Sequence, residues 1–161
     1  MTAAASGGQP VHCRLWPDID PRTLHDLVRL RIDVFVVEQA CRYSELDGRD
    51  VEPGTLHLWT SDASGPTSYL RLLTEPSGDR RIGRVATRAD ARGRGLARRL
   101  VEAALARCVG RTVVLDAQSH LTGLYSGLGF VPAGPQFVED GIPHVPMRRE
   151  PSYPAGDRVD T

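Results

Sequence analysis

A short loop rich in glycine and arginine, Arg92-Gly93-Arg94-Gly95, comes directly before a segment with helical spacing. The first backbone N–H groups of a helix have no partner within the helix, and the helix dipole places partial positive charge there. Glycines let a phosphate approach the backbone closely, and arginines add charge-assisted hydrogen bonds. The loop therefore suggests a phosphate site, although a plain surface turn would have the same composition.

The three cysteines, Cys13, Cys41 and Cys108, are odd in number and far apart in the chain. No CxxC pair accompanies them, so we expect neither a disulfide framework nor a metal site. Free cysteines of this kind are typical of a protein in the reducing cytoplasm. Cys41 has polar neighbours and could act as a nucleophile, but no base motif stands beside it. An ordinary free thiol is the preferred interpretation.

The composition excludes several classes of function. All 20 basic residues are arginines, which excludes a Schiff-base enzyme and a P-loop nucleotide site, because both need a lysine amine. The formal net charge is zero, which argues against a general nucleic-acid binder. The longest apolar run, Val34-Phe35-Val36-Val37, is far shorter than the roughly 20 residues of a membrane span. Neither a nucleic acid nor a membrane is expected as a partner.

The charges are nevertheless distributed unevenly along the chain. Residues 80–99 contain eight arginines and one aspartate, a net charge of +7. Residues 33–52 contain six acids and two arginines, a net charge of −4. The first segment favours a polyanion and the second a cation, with chance clustering on a solvated surface as the plain alternative.

Apolar periodicity and turn residues predict one α/β domain with a mixed sheet, in the order β-α-ββ-β-α-β-α-β. Asp20-Pro21 starts a helix to about Val36, with the aspartate as N-cap and the proline in the first turn. The polar segment from Glu38 to Gly54 is expected to be a functional loop. The domain is expected to span residues 11–150, between a mobile leader, residues 1–10, and a mobile tail, residues 151–161.

The remaining predicted elements follow from the same patterns. The predicted strands are 11–16, 56–60, 68–74, 81–88, 113–115 and 141–149. The other predicted helices are 96–109 and 119–127.

Two motifs in order along the chain resemble those of a known superfamily. The run Ile82–Thr87 followed by Ala91–Ala97 is similar to the acetyl-CoA signature of the GNAT N-acetyltransferases. In that signature, Arg or Gln is followed at the third position by Gly and at the fifth by Gly or Ala, which Arg92, Gly95 and Ala97 match. Further on, Leu124–Phe130 resembles the YxxxGF element of the same superfamily.

A finer resemblance points to the ElaA-like branch of this superfamily and covers residues from about 20 to 150. Its elements are Val36–Gln39, Asp47-Gly48, His57-Leu58, Ala117–Leu121 and Glu139–His144. The resemblance implies a single domain of α/β (α+β) type. Its mixed central sheet would contain a splayed strand pair, formed by the strand ending at Thr87 and the next strand, and would be flanked by helices.

The resemblance also implies acetyl-CoA as co-substrate, with no metal. The loop would bind the CoA pyrophosphate through backbone amides, and the strand before it would bind the pantetheine arm and the thioester. A backbone N–H, that of Val85, would polarise the thioester oxygen, a contribution of roughly 3–4 kcal/mol when well placed. Gln118 stands where many members carry an Asn that bonds the pantetheine arm. The implied cofactor-binding residues are Val85, Ala86, Thr87, Arg92, Gly93, Arg94, Gly95, Leu96, Ala97 and Gln118.

The implied reaction is transfer of an acetyl group to a primary amine by direct attack in a ternary complex. Tyr125 would protonate the departing CoA thiolate, with a core aromatic as its plain alternative. The base that deprotonates the amine is open among Glu38, Asp116, His120, His144 and a water relay. Tyr125, Glu38 and His120 form the predicted catalytic set.

The acceptor is expected to be a small-molecule or peptide amine, which Glu38, Asp47 and Asp50 would attract as an ammonium ion. The resemblance allows a homodimer and leaves the oligomeric state open. A non-catalytic acyl-CoA-binding regulatory module is the alternative function, and Tyr125 argues against it because mere binding needs no phenol at the thioester. A nucleic-acid module built on the arginines of residues 80–99 is the weakest alternative.

Overall fold

The computed structural model describes residues 8–154. Most of the expected leader and tail therefore lies outside the described residues. The described ends contact the domain. The Gln9 side chain accepts a hydrogen bond from Thr67 at 2.5 Å, and its carbonyl accepts one from Arg99. At the other end, the Gly110 N–H donates to the Ser152 carbonyl at 3.0 Å.

Within the described residues, eight strands form one mixed sheet in the order β1-β2-β3-β4-β5-β8-β6, with β7 paired to β8. Neighbouring strands are antiparallel except β4 and β5, which are parallel. The strands are β1 His12–Leu15, β2 Leu56–Asp62, β3 Gly65–Thr74, β4 Arg80–Thr87, β5 Val113–Gln118, β6 Val131–Pro132, β7 Phe137–Glu139 and β8 Ile142–Arg149.

Three α-helices accompany the sheet in residues 8–154: α1 Pro21–Ile32, α2 Leu96–Leu105 and α3 Thr122–Ser126. The predicted start of α1 is confirmed, because the Asp20 carboxylate accepts a hydrogen bond from the Thr23 N–H at 2.9 Å. The predicted helix continues past residue 32, but as a wider π-helical turn, Asp33–Glu38. Such turns are rare and frequently lie at functional sites.

Helices cover both faces of the sheet, so the core has two parts. On one face, α2 packs against β3 and β4, with Leu100, Val101 and Leu70 completely buried. On the other face, α1 packs through Leu27 and Leu30 against Tyr69 of β3. We refer to these faces as the α2 side and the α1 side. The predicted domain, a mixed sheet flanked by helices, is confirmed.

Strands β4 and β5 separate soon after they begin. They pair only at Arg80 with Val113 and at Arg81 with Val114. Beyond that point β4 stays with β3, whereas β5 pairs with β8 along its whole length. A V-shaped opening results in the middle of the sheet, and the splayed strand pair implied by the resemblance is confirmed.

Strand β4 also contains a bulge beside this opening. Tyr69 of β3 lies opposite Ala86, but Arg71 lies opposite Gly83, so two residues of β4 face one residue of β3. The first of these two, Arg84, has φ = 52°, in the left-handed region. A bulge of this kind bends the strand and takes one residue out of the hydrogen-bonded ladder.

Candidate active site

The separation of β4 and β5 leaves a cleft of about 960 Å³ that is lined from both sides of the sheet. Arg92, Gly95 and Tyr125 line it from the α2 side, and Tyr43 and Arg71 line it from the α1 side. Of the predicted site residues, those that line the cleft are Glu38, Val85, Ala86, Thr87, Arg92, Gly93, Gly95, Leu96, Ala97, Gln118, His120 and Tyr125.

Arg94 is the predicted site residue that does not line the cleft. Its guanidinium donates instead to the Asp90 carbonyl at 3.1 Å. The Arg94 side chain is therefore held within the protein, and its peptide remains part of the loop that is predicted to bind the pyrophosphate through backbone amides.

The glycine–arginine loop is shaped to receive an anion. Gly93 and Gly95 have φ values of 75° and 72°, which favour glycine over residues with a Cβ. Gly95 is the N-cap of α2, and no side chain of residues 8–154 caps the first-turn N–H groups. A Cβ built on either glycine would meet no atom of these residues within 4 Å, so this part of the chain leaves the space in front of both glycines open. Unpartnered N–H groups and open space fit a diphosphate.

Arg92 connects this loop to the α1 side. Its Nε donates to the Thr87 carbonyl at 3.1 Å, which joins the loop to the end of β4. Its Nη2 donates to Glu38 Oε1 at 2.9 Å, which joins the loop to the π-helical turn. Both side chains of this ion pair remain partly exposed. Glu38, one of the predicted bases, is therefore bound to an arginine of the glycine–arginine loop.

Tyr125 lies at the α2 side of the cleft, at the end of α3. Its ring packs edge-on against Phe130, with the centroids 5.9 Å apart. Burial raises the pKa of the Tyr125 phenol to about 12. Among residues 8–154 the hydroxyl has no hydrogen-bond partner, and the side chain lines the cleft. At neutral pH the phenol is therefore protonated and can donate a proton, but it cannot accept one.

The two histidines of the cleft differ in how they are held. His144, on β8, has its Nδ1 2.8 Å from the Ile142 carbonyl, and its ring stacks on Phe137. A carbonyl only accepts hydrogen bonds, so Nδ1 carries a hydrogen, and in the neutral ring the lone pair is on Nε2. His120 lines the same cleft but is exposed. His144 is the histidine whose tautomer suits a proton acceptor.

The other two polar candidates are already engaged. Asp116 of β5 accepts a hydrogen bond from Arg81 at 3.3 Å, with both side chains partly exposed. The Gln118 side chain donates to Gln39 Oε1 at 3.1 Å, which ties β5 to the residue after the π-helical turn. An amide that donates through its nitrogen can still accept through its oxygen.

The acidic segment does not present the carboxylates that were expected. Asp50 is 3% exposed and does not line the cleft. Two nitrogens of Arg31 donate to it at 2.8 and 3.2 Å, and Arg71 donates at 3.2 Å. The expectation that Asp50 attracts an ammonium ion is therefore wrong, because its charge is buried and paired.

Asp47 lines the cleft, but Arg71 binds it with two hydrogen bonds of 2.9 and 2.6 Å. Partial burial would raise the pKa of the Asp47 carboxyl, but the hydrogen bonds from Arg71 outweigh burial and hold the pKa well below its usual range. Its negative charge is thus permanent and already neutralised by an arginine. Sequence reasoning could not find these arginines, because they lie outside the acidic segment.

Cys41 is buried and lines the cleft. Burial raises the pKa of its thiol, so the reactive thiolate is disfavoured. This agrees with the preference for an ordinary free thiol. All three cysteines are free.

Two searches of residues 8–154 gave negative results. No group of three or more His, Cys, Asp and Glu side chains comes together in a way that could hold a metal ion. No helix in this part of the chain has the length and apolar character needed to cross a membrane.

Comparison with known proteins agrees with this geometry. The acetyltransferase (GNAT) domain family matches residues 24–151. The "UPF0039 protein" of Mycobacterium tuberculosis is 50% identical over 141 residues, which cover 84% of this chain and 90% of that protein.

Two solved structures share both fold and sequence with this chain. The acyl-CoA N-acyltransferase from Pseudomonas aeruginosa superposes with a TM-score of 0.82 at 40% identity, covering 88% of this chain and 99% of that one. Escherichia coli ElaA superposes with a TM-score of 0.83 at 31% identity, covering 89% of this chain and 100% of ElaA.

The chain therefore belongs to the GNAT superfamily of acetyltransferases, as its two motifs predicted. Within that superfamily it belongs to the ElaA-like branch.

Proposed function

We propose that this protein transfers an acetyl group from acetyl-CoA to a primary amine, by direct attack of the amine in a ternary complex. One observation carries the proposal. The glycine–arginine loop, whose geometry suits a phosphate, and the protonated phenol of Tyr125 line the same cleft between β4 and β5. Membership of an acetyltransferase superfamily supports the same reaction.

On the α2 side, the chain's own groups would bind the acyl donor. The open N–H groups at Gly93, Gly95 and the start of α2 would bind the diphosphate. The backbone of Val85–Thr87 would bind the pantetheine arm, because β5 does not pair with this part of β4 and leaves that edge of the strand accessible from the cleft. The N–H of Val85 would donate to the thioester oxygen and stabilise the negative charge that develops there.

The amine would approach from the α1 side, and it must lose a proton before its nitrogen can attack the carbonyl carbon. The Nε2 lone pair of His144 is well suited to accept that proton. Glu38 and His120 are the competing bases. The new C–N bond forms as the C–S bond breaks, and the departing sulfur takes the proton of the Tyr125 hydroxyl.

The setting of the reaction is part of the proposal. Three free cysteines favour a reducing compartment, and we propose the cytoplasm. The acceptor is proposed to be a small-molecule or peptide amine, bound by a protein that works as a monomer or a homodimer.

The test is a thiol-release assay that combines acetyl-CoA and longer acyl-CoAs with a panel of monoamines, diamines, amino acids and peptides. Tyr125→Phe is expected to lower kcat about a hundredfold while CoA affinity stays within about twofold. The control is Tyr153→Phe, since Tyr153 is exposed and does not line this cleft.

Two results would contradict the proposal. Wild-type protein that binds acetyl-CoA but releases no thiol with any amine would favour the non-catalytic binding module. A Tyr125→Phe variant with unchanged kcat would remove the phenol from the reaction.

A further inference from the structure

The bulge in β4 puts a strained residue beside the proposed thioester site. Arg84 has a left-handed φ of 52°, although the glycine that such a conformation favours stands immediately before it in the chain. An arginine pays a steric penalty in this conformation that a glycine would not, so neighbouring contacts must hold it there. The next residue, Val85, is the proposed donor to the thioester oxygen.

The side chain of Arg84 supplies such contacts. Its guanidinium nitrogen Nε lies 3.1 Å from Glu45 Oε1, in an ion pair that lacks the alignment of a hydrogen bond. The guanidinium also lies 4.7 Å from the centre of the Tyr43 ring, a cation–π contact. Nη2 lies 3.4 Å from the carbonyls of Ser44 and Glu45. Arg84 thus contacts three consecutive residues, 43–45, of the loop that follows the π-helical turn on the α1 side.

The loop in turn is attached to helix α1 by a buried charge. Arg31 is 1% exposed and donates from Nε to Glu45 Oε1 at 2.7 Å and from Nη2 to the Glu45 carbonyl at 3.0 Å. The other Glu45 oxygen, Oε2, has no hydrogen-bond partner among the described residues. Glu45 therefore depends on Arg31 and Arg84 for its compensation. Buried ion pairs keep their partners in place, because separating them leaves an uncompensated charge.

We propose that Arg84 is a positioning residue, which holds the β4 bulge so that the Val85 N–H points at the thioester carbonyl. The inference rests on the proposed function and adds to it the side chain that maintains the polarising N–H. A backbone donor stabilises developing charge only when it is fixed in advance. Glu45 holds Arg84, and Arg31 of α1 holds Glu45 in turn, so α1 would contribute to catalysis without contacting the substrates.

The sharpest variant is Arg84→Gly, because glycine accepts the left-handed φ without strain while the side-chain anchor is removed. Because Glu45 then loses one of its two arginine partners, the thermal stability is expected to fall, while the protein stays folded at the assay temperature. Its kcat is expected to fall about tenfold or more through misplacement of the donor, while CoA affinity stays unchanged because the loop of residues 92–97 is untouched. Arg84→Gln, which keeps some side-chain length, tests the same point if the glycine variant folds poorly.

The matched control is Arg148→Gln. Arg148 lies on β8, forms ion pairs with Asp79 and Glu150 and does not line the cleft. We expect this variant to keep the wild-type kcat.

A spectroscopic measurement separates positioning from a general structural role and needs no amine. The probe is a ketone analogue of acetyl-CoA that carries carbon-13 at its carbonyl. Binding to wild type should move the carbonyl resonance downfield, since a hydrogen bond from Val85 polarises it. Binding to Arg84→Gly should be equally tight but should shift the resonance less.

Each outcome decides between the two claims. An equal downfield shift in both proteins, or an Arg84→Gly variant with full kcat, overturns the role of Arg84 and leaves the proposed function standing. Losses of stability and CoA affinity in proportion to kcat would make Arg84 merely structural. An analogue that does not bind to wild type overturns the proposed function, and the inference with it.

Discussion

On the α2 side of the cleft, no side chain of the described residues caps the N–H groups at a helix start, whereas on the α1 side the carboxylates are already paired with arginines. The N-cap of α2 is Gly95, and no atom of the described residues lies within 4 Å of its Cβ position. Asp50, in contrast, receives hydrogen bonds from both Arg31 and Arg71. The N–H groups on the α2 side remain available to a ligand, whereas Asp50 on the α1 side already takes part in internal ion pairs.

Charges that face a ligand and charges that are paired inside the protein look alike in a sequence, and the structure distinguishes them. Residues 80–99 are rich in arginine and residues 33–52 in acid, and each could have faced a ligand. In the structure, Arg71 and Arg84 reach the acidic loop and neutralise it. Changes on the α1 side should therefore affect stability, and changes on the α2 side should affect donor affinity.

Arg31→Met should have the largest effect, and it tests the α1 side of the comparison. The variant leaves Glu45 and Asp50 buried without their main partner, so the free energy of unfolding should fall by about 3–5 kcal/mol. Urea unfolding at pH 7.5 measures this change. The matched control is Arg29→Met, two residues earlier on α1, where the arginine is exposed and pairs with Asp33 at 3.8 Å.

For the control, the change should stay within about 0.5 kcal/mol, because exposed ion pairs contribute little. Equal losses in the two variants would mean that the buried network does not stabilise the α1 side. The distinction between the two sides of the cleft would then disappear.

Gly95→Ala tests the α2 side and should have a smaller effect on stability. Alanine at φ = 72° costs roughly 1–2 kcal/mol, and its Cβ would occupy the open space where a phosphate would approach. CoA affinity measured by calorimetry should fall about tenfold or more, since a lost hydrogen bond to a charged group costs about 1.5–3 kcal/mol.

Gly54→Ala is the control for the conformational cost. Gly54 has φ = 83° and does not line the cleft, and no atom of residues 8–154 lies within 4 Å of its Cβ position. It should lose the same stability and keep full CoA affinity. If Gly95→Ala also keeps full affinity, the loop does not bind the diphosphate.

The features that could be predicted from the sequence depend on local residue patterns. Asp20-Pro21 indicated a helix start because capping acts within one turn. The helical spacing after the glycine–arginine loop likewise indicated a helix from Leu96, which is where α2 begins. The splayed strands followed from the resemblance, and the pairing of β4 with β5 only at their first residues confirms them.

The features that could not be predicted depend on residues far apart in the chain. The pairing of Asp47 with Arg71 joins a loop to a strand, and no local pattern marks it. The positive φ fell on Arg84 although Gly83 was the better local candidate, because Glu45 and Tyr43 hold the arginine. Strand β7, with three exposed residues, is defined by its pairing with β8 and not by alternation.

His57 offers the smallest and most specific test, because it connects pH to the α1 side alone. The ring is completely buried and lies between the Tyr69 hydroxyl, 2.7 Å from Nδ1, and the Asp50 carbonyl, 3.0 Å from Nε2. The carbonyl must accept from Nε2, so in the neutral ring Nδ1 accepts from the tyrosine hydroxyl. Burial lowers the pKa of His57, and the positive charges of Arg31 and Arg71 lower it further.

The direction of the pH effect follows from this lowered pKa. Between the folded value and about 6.5, the ordinary histidine pKa, the unfolded chain binds a proton that the folded protein does not. The stability due to neutral His57 is therefore complete above about pH 6.5 and is lost as the pH falls below it, by at most about 1.4 kcal/mol per pH unit.

Urea unfolding between pH 5 and 8 should thus show a slope in wild type that His57→Gln reduces. His25→Gln, on the exposed surface of α1, should keep the wild-type slope. CoA affinity of His57→Gln at pH 7.5 should not change, because the ring lies among α1-side residues and does not line the cleft. An unchanged slope would show that His57 does not cause the pH dependence of stability. A change in CoA affinity would show that the two sides of the cleft are not independent.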